Sequence, residues 1–264
     1  MTALEHIQKA GFPLCDNLIQ VMIGGSELHG AKVHGTDDMD IYGLYIEPPE
    51  RILGLDVFEH FVWSTAKQAE RNGPNDIDIT LYSLRKWAGM ACKGNPTALH
   101  FLFAWNQLLH NGLTVVQIPI WHDIAVRLKE LVIAKSSAKQ FMGFVDAQMG
   151  RLLGTRGKGK KGQRPELEEK YGYDVKAGMH AVRLLNECIE LMRMGEITLP
   201  RPERELLVTI RTGGWSLDRL SAEVNWLFEK LKEEREQSSL PEEPDRKAVS
   251  ELIAETYLRF WEKK

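Results

Sequence analysis

The spacing of apolar residues changes once along this chain, and the change limits what it can fold into. Before Ser83 the apolar stretches are short and β-rich. Residues 18–23 (LIQVMI) run into the tight turn Gly24-Gly25-Ser26, 40–46 (DIYGLYI) are closed by Pro48-Pro49, and 77–82 (IDITLY) alternate with period two. After Ser83 the spacing is helical. Leu84, Trp87, Ala88 and Ala91 form one stripe that ends at Gly94-Asn95-Pro96, where Asn95 reads as a turn or helix cap. Further helices are expected over 97–109, about 122–152, 174–194, 217–235 and 247–262, with 237–246 (QSSLPEEPDR) as a polar, proline-containing linker. The expectation is an α+β fold: a small mixed-sheet domain over 1–115, then a helical domain over 116–264.

At 264 residues with 43% hydrophobic and 27% charged side chains, an ordinary core suffices, which excludes a disordered chain or a fibre. No apolar run approaches the roughly 20 residues of a membrane span. The first stretch carries Glu5, Lys9 and Asp16 in place of a basic start and an apolar block, so neither a leader nor a membrane protein is expected. Cys15, Cys92 and Cys188 are odd in number and far apart, which argues against a disulfide framework or zinc knuckle and for a reducing cytoplasm.

The net charge of -3 hides a partition. Residues 1–150 carry 12 basic against 16 acidic side chains, 151–185 carry 9 against 4, and 186–264 carry 13 against 17. Much of the basic charge lies in Arg151, Arg156, Lys158, Lys160, Lys161 and Arg164, interleaved with Gly154, Gly157, Gly159 and Gly162. Such a segment is either a solvated loop or a phosphate-binding one, because cations neutralise phosphates and glycine lets the backbone approach them.

Asp38-Met39-Asp40 heads a strand, where residues two apart share a face, so two carboxylates point at one spot. Both stay ionised at such proximity when a hard divalent cation lies between them. Gly25-Ser26 ends the earlier strand, and Asp78 on the next one is the natural third ligand, with Asp76 on the same face as the fallback. This order suits two Mg2+ ions, with Mn2+ as a substitute, on the α-phosphate of a nucleotide.

These residues resemble a known family. The stretch GGSELHGAKVHGTDDMDIYGLYIEPP (24–49) is similar to the Gly-Ser…Asp-x-Asp signature of the DNA polymerase β-type nucleotidyltransferase superfamily. With DITLYSLRKW (78–87), KGNP (93–96), RPELEEKYGYDVKAGMHAVRLL (164–185), Gly195 and RPERELLVTIR (201–211), it resembles the RNA-repair-associated branch called RlaP, although many relatives have Tyr where His29 stands. The resemblance implies a polymerase β-like palm, Ser26 at the nucleotide phosphates, and Asp38, Asp40 and Asp78 as catalytic metal ligands. It also makes Asp78 the candidate to activate the acceptor hydroxyl.

Tyr173, Lys176, His180 and Arg183 follow helical spacing after Asp174, an expected N-cap, and would set a cationic face opposite the carboxylates. Gly25, Ser26, His29, Lys176, His180 and Arg183 are therefore the expected nucleotide-binding set. The function expected is transfer of an NMP from an NTP, with ATP weakly favoured, to a hydroxyl of RNA. The alternatives are a protein hydroxyl, a small molecule, or an inactive nucleotide- or RNA-binding partner.

Overall fold

The run 18–23 lacks the alternation of a half-exposed strand because this strand, β1 (Leu18–Ile23), is covered on both faces. The computed structural model describes residues 1–263 apart from 34, 36–37, 67–72, 74–75, 112–113 and 154–163, and gives the backbone alone over 105–111 and 114–117. Before β1 lies α1 (Ala3–Lys9). After it come α2 (Gly25–Leu28), β2 (Met39–Tyr45), α3 (Pro49–Leu53), β3 (His60–Ser64), β4 (Ile77–Ser83), α4 (Leu84–Ala91), α5 (Pro96–Asn111) and β5 (Thr114–Gln117). The remainder is helical: α6 (Pro119–Val132), α7 (Ser137–Leu152), α8 (Pro165–Tyr171), α9 (Val175–Met194), α10 (Arg204–Arg211), α11 (Leu217–Gln237) and α12 (Arg246–Trp261). The protein is α+β, as expected.

The sheet has the order β3-β4-β2-β1-β5 and is mixed, because β2 and β4 run parallel while the other neighbours are antiparallel. One face, with Val21, Ile41, Tyr45, Ile79 and Leu81, packs on Ile7 of α1 and on Phe12. The other face contributes Ile19, Met22 and Leu44 to a larger core filled by Trp87, Phe101, Trp121 and the apolar side of α9. Alternation therefore turns Asp40, in step with Tyr42 and Leu44, toward the helical half.

Several expectations shift. The strand 77–82 is the fourth, because β3 forms the sheet edge. The expected boundary at 115/116 falls inside β5, so the sheet takes part of its last strand from beyond it. The helix expected over about 122–152 is two, α6 and α7. Between them Lys135 N–H and Ser136 N–H donate to the carbonyls of Pro241 and Glu242 at 2.9 and 3.0 Å, a tertiary pairing that replaces helix continuation. The same bonds, with Leu240 packed on the core, make the expected 237–246 linker a docked segment. Asn95 does cap α5, its Oδ1 accepting from Ala98 N–H at 3.1 Å.

The last helix is fastened to the sheet. Tyr257 O–H donates to the buried Glu47 carboxylate, Arg85 N–H donates to Tyr257 Oη at 3.1 Å, and Trp261 Nε1–H donates to the Glu47 carbonyl at 2.9 Å. Among the described residues all three cysteines are free, and no helix is long and apolar enough to cross a membrane.

Candidate active site

Parallel pairing of β2 with β4 sets Asp40 beside Asp78 as direct register partners, and Asp38 lies two residues back on the same face. Each of the three carboxylates offers an oxygen within 4.8 Å of the other two. Asp76, the fallback ligand, is spent on the turn before β4: it accepts from Gly73 N–H at 2.6 Å and from Thr65 O–H at 2.7 Å, contacts that lower its pKa.

The glycine turn after β1 is shaped by these side chains. Gly24 N–H donates to the Asp40 carbonyl at 2.8 Å, and a Cβ on Gly24 would fall 2.2 Å from the Tyr42 ring. Gly25 has φ +57°, and a Cβ there would fall 1.8 Å from Asp40 Oδ2. Only glycine at both positions lets the turn pass this close to the carboxylates.

A cavity of about 290 Å³ opens here. Gly25, Ser26, His29, Asp38 and Asp40 line its sheet side. Lys176, His180 and Arg183 line the opposite side from one stripe of α9, with Arg164 beside them. Asp174 begins α9 by accepting from Ala177 N–H at 2.9 Å, and its other oxygen holds Arg164 Nη1 at 3.0 Å. Tyr173, expected on the cationic face, is a core residue, its O–H donating to the Trp215 carbonyl at 2.9 Å. Arg151 is exposed in the last turn of α7, with Nη1 3.5 Å from Gln148 Oε1, while Arg156, Lys158, Lys160 and Lys161 lie outside the described residues.

The residues that sequence reasoning missed lie beneath the stripe. Glu187, fully buried one turn beyond Arg183, accepts from Arg183 Nη1 at 2.7 Å. It accepts from His100 Nε2 at 3.2 Å, and His29 Nδ1 lies 3.2 Å from its first oxygen. Burial favours the neutral acid, but Arg183, His100 and His29 outweigh it and hold Glu187 well below the carboxylate range. Burial, reinforced by Arg183, pushes His29 down to about 3, and burial likewise lowers His180 well below the ordinary histidine value. Both expected nucleotide contacts among the histidines are therefore neutral rings at neutral pH. Extending the 176–180–183 stripe by four residues finds Glu187, whereas His100 on an apolar helix carries no such signal. Arg211, also lining the cavity, donates to the Ala31 carbonyl at 2.9 Å and ties α10 to the connector between α2 and β2.

Three hard-oxygen donors on one face, with glycine leaving room beside them, fit a divalent ion such as Mg2+ or Mn2+. A group of His29, His100 and Glu187 also brings ligand-type atoms within 4.8 Å, but there the carboxylate already carries Arg183.

Comparisons with known proteins bear on the family of the chain. A protein of 38.9 kDa from Enterobacteria phage T4, encoded in the nrdC-mobD intergenic region, is 27% identical over 141 residues, which is 53% of this chain and 38% of that protein. The chain thus matches well under half the length of that relative. A nucleotidyltransferase-like protein from Exiguobacterium sibiricum aligns over 88% of this chain and 72% of its own, with 11% identity and a TM-score of 0.30. The model of the RNA repair pathway DNA polymerase beta family, RlaP, matches residues 2–259, nearly the whole chain. The chain belongs to this polymerase β-like nucleotidyltransferase family.

Proposed function

We propose that the protein is a Mg2+-dependent nucleotidyltransferase that moves an NMP from an NTP, ATP first among them, to an acceptor hydroxyl on RNA. The observation that carries this reading is one cavity lined by Asp38 and Asp40, with Asp78 clustered beside them, and by Lys176 and Arg183 of α9. Carboxylates on one wall and cations on the other match a metal-complexed triphosphate, which presents positive charge to one side and phosphate oxygens to the other.

In this reading Asp38, Asp40 and Asp78 would hold two Mg2+ ions, which supply activation of the acceptor hydroxyl and neutralisation of the leaving pyrophosphate. Gly25 and Ser26 border the phosphate path, and Lys176 binds the outer phosphates. The acceptor oxygen forms a bond to the α-phosphorus while the bond to the bridging oxygen breaks, and pyrophosphate leaves. Asp78, beside Asp40 on the neighbouring strand, takes the acceptor proton, the role that the family resemblance implies for it. Arg151, Arg156, Lys158, Lys160, Lys161 and Arg164 are assigned to the RNA backbone, since the basic segment leads from the end of α7 to a cavity residue.

The test is incubation with each α-labelled NTP, Mg2+ and RNA, beside Asp38→Ala and Asp40→Ala. Labelled RNA is expected with the wild type and lost in both variants. Label that persists in both sinks the metal assignment, and label on protein or a small molecule with blank RNA sinks the acceptor.

A further inference from the structure

Glu187 has no part in the chemistry just described, yet it is the most heavily engaged charge near the cavity. It sits fully buried on the α9 stripe below Lys176, His180 and Arg183, with one oxygen bonded to Arg183 and the other to His100, while the nearby His29 Nδ1 makes no hydrogen bond among the described residues. One oxygen accepts from Arg183 Nη1 at 2.7 Å and lies 3.2 Å from His29 Nδ1; the other accepts from His100 Nε2 at 3.2 Å. The His29 and His100 rings stand edge to face, 4.8 Å apart, so the carboxylate is held from α5 by His100, whose ring His29 packs against. His29 is fixed in turn, its carbonyl accepting from Arg201 N–H at 3.1 Å.

Arg183 is the member of this group that reaches the cavity with a charge to offer. A guanidinium is a planar fork, and the edge made by Nε and the terminal nitrogen other than Nη1 is the one that grips two oxygens of a phosphate. With Nη1 occupied by Glu187, the Nε of that edge is left without a bond from Glu187. Its Nε is buried and has no hydrogen-bond partner among the described residues, an arrangement that costs stability unless a ligand completes it.

We propose that Glu187 is a positioning residue, held by His100 with the His29 ring packed against it, that fixes Arg183 as a preoriented bidentate fork for a phosphate group of the nucleotide. The proposal rests on the nucleotidyltransferase reading for its ligand and assigns within it a role to a residue that touches no substrate. His29 and His100 act here through Glu187 and not on phosphate. Neutral His29 could not replace a cation, which accords with this division of labour.

The test is a double-mutant cycle on the full chain, with Arg183→Lys, Glu187→Gln and the double variant. The probes are inorganic tripolyphosphate and Mg2+-ATP, with affinity read by titration calorimetry and folding by near-UV circular dichroism. Arg183→Lys keeps the charge, and a cation for Glu187, while removing the fork. It is expected to weaken tripolyphosphate about 10- to 100-fold, the worth of a charge-assisted bidentate contact. Glu187→Gln is expected to weaken it to a similar degree, and the double variant to be no weaker than Arg183→Lys alone, a non-additivity that general loosening of the fold does not produce. Folded variants that bind within twofold of wild type, additive losses, or a wild type that binds neither probe would each overturn the proposal. Should Glu187→Gln not fold, Arg183→Lys alone decides whether the fork binds phosphate, and His100→Gln takes its place in the cycle as the brace. The two readings fail separately: RNA labelling with an unaffected Arg183→Lys removes the fork and keeps the enzyme, whereas Arg183-dependent tripolyphosphate binding without transfer keeps the fork and removes the enzyme.

Discussion

Replacing Gly25 by alanine separates a small cost in stability from a large cost in activity. The left-handed φ of +57° penalises any side chain by roughly 1–2 kcal/mol, partly offset because alanine has less freedom to lose on folding, so a net of about 1 kcal/mol remains. The added Cβ would lie 1.8 Å from Asp40 Oδ2. A carbon and an oxygen settle at about 3.3 Å, so the carboxylate must retreat by about 1.5 Å. A flexible side-chain tip can do that cheaply for the fold, but not for a metal cage, where a displacement of about 1 Å costs on the order of a hundredfold in rate. Gly11→Ala is the control: its φ is +78° and nothing lies within 4 Å of the added Cβ, so it bears the backbone penalty alone. Both variants should melt about 2–4 °C below the wild type. Gly25→Ala should lose at least about tenfold in Mn2+ affinity by calorimetry and about a hundredfold or more in nucleotide transfer, while Gly11→Ala changes neither. A folded Gly25→Ala with wild-type Mn2+ affinity and transfer would refute the placement of Asp40 as a ligand pressed against the turn.

Two further expectations concern stability. Folded His29 titrates at about 3 against 6.5 when unfolded, so between those values the unfolded chain binds the extra proton and stability falls with pH at about 1.4 kcal/mol per unit, reaching about 2 kcal/mol at pH 5. His180 acts in the same sense, as does Glu187 below 4.5; a urea midpoint that is unchanged or higher at pH 5 than at pH 8 contradicts the buried neutral rings. Tyr257→Phe keeps the ring against Trp261 but leaves buried Glu47 without its O–H donor, so a loss of about 1–3 kcal/mol is expected; an unchanged melting temperature would show that α12 is not fastened there.

What the sequence made legible followed from local period. Strand alternation put Asp38 and Asp40 on one face, and helical spacing put Lys176, His180 and Arg183 on one stripe, and the structure keeps both groupings. The partnership of Asp78 with Asp40 depends on parallel register between strands 38 residues apart, which no local pattern encodes, so the strand reading keeps Asp76 as a fallback beside Asp78, and the family resemblance points to Asp78. Strand β3 escaped notice because its burial alternates while its sequence does not: Val62 is exposed between Phe61 and Trp63, so no period of two shows in the side-chain types. The interruption between α6 and α7 has no glycine or proline to announce it, because the tail carbonyls that cause it arrive from a hundred residues away. Glu187 hid for a different reason. An acidic residue on a helix ordinarily faces water, and here its burial is decided by bonds to Arg183 on its own helix and to His100 on α5, with His29 close by.

One consequence follows from the larger core. Met22 and Leu44, beneath the carboxylate wall, belong to the same apolar cluster as Leu184 and Leu185 of α9, beneath the cationic wall. Parting the two walls would open that cluster to water at about 25 cal/mol for every Å² exposed, so they cannot swing like jaws. The slot is therefore cast when the chain folds, and under the proposed function a nucleotide would meet two walls whose spacing is already set by the core beneath them.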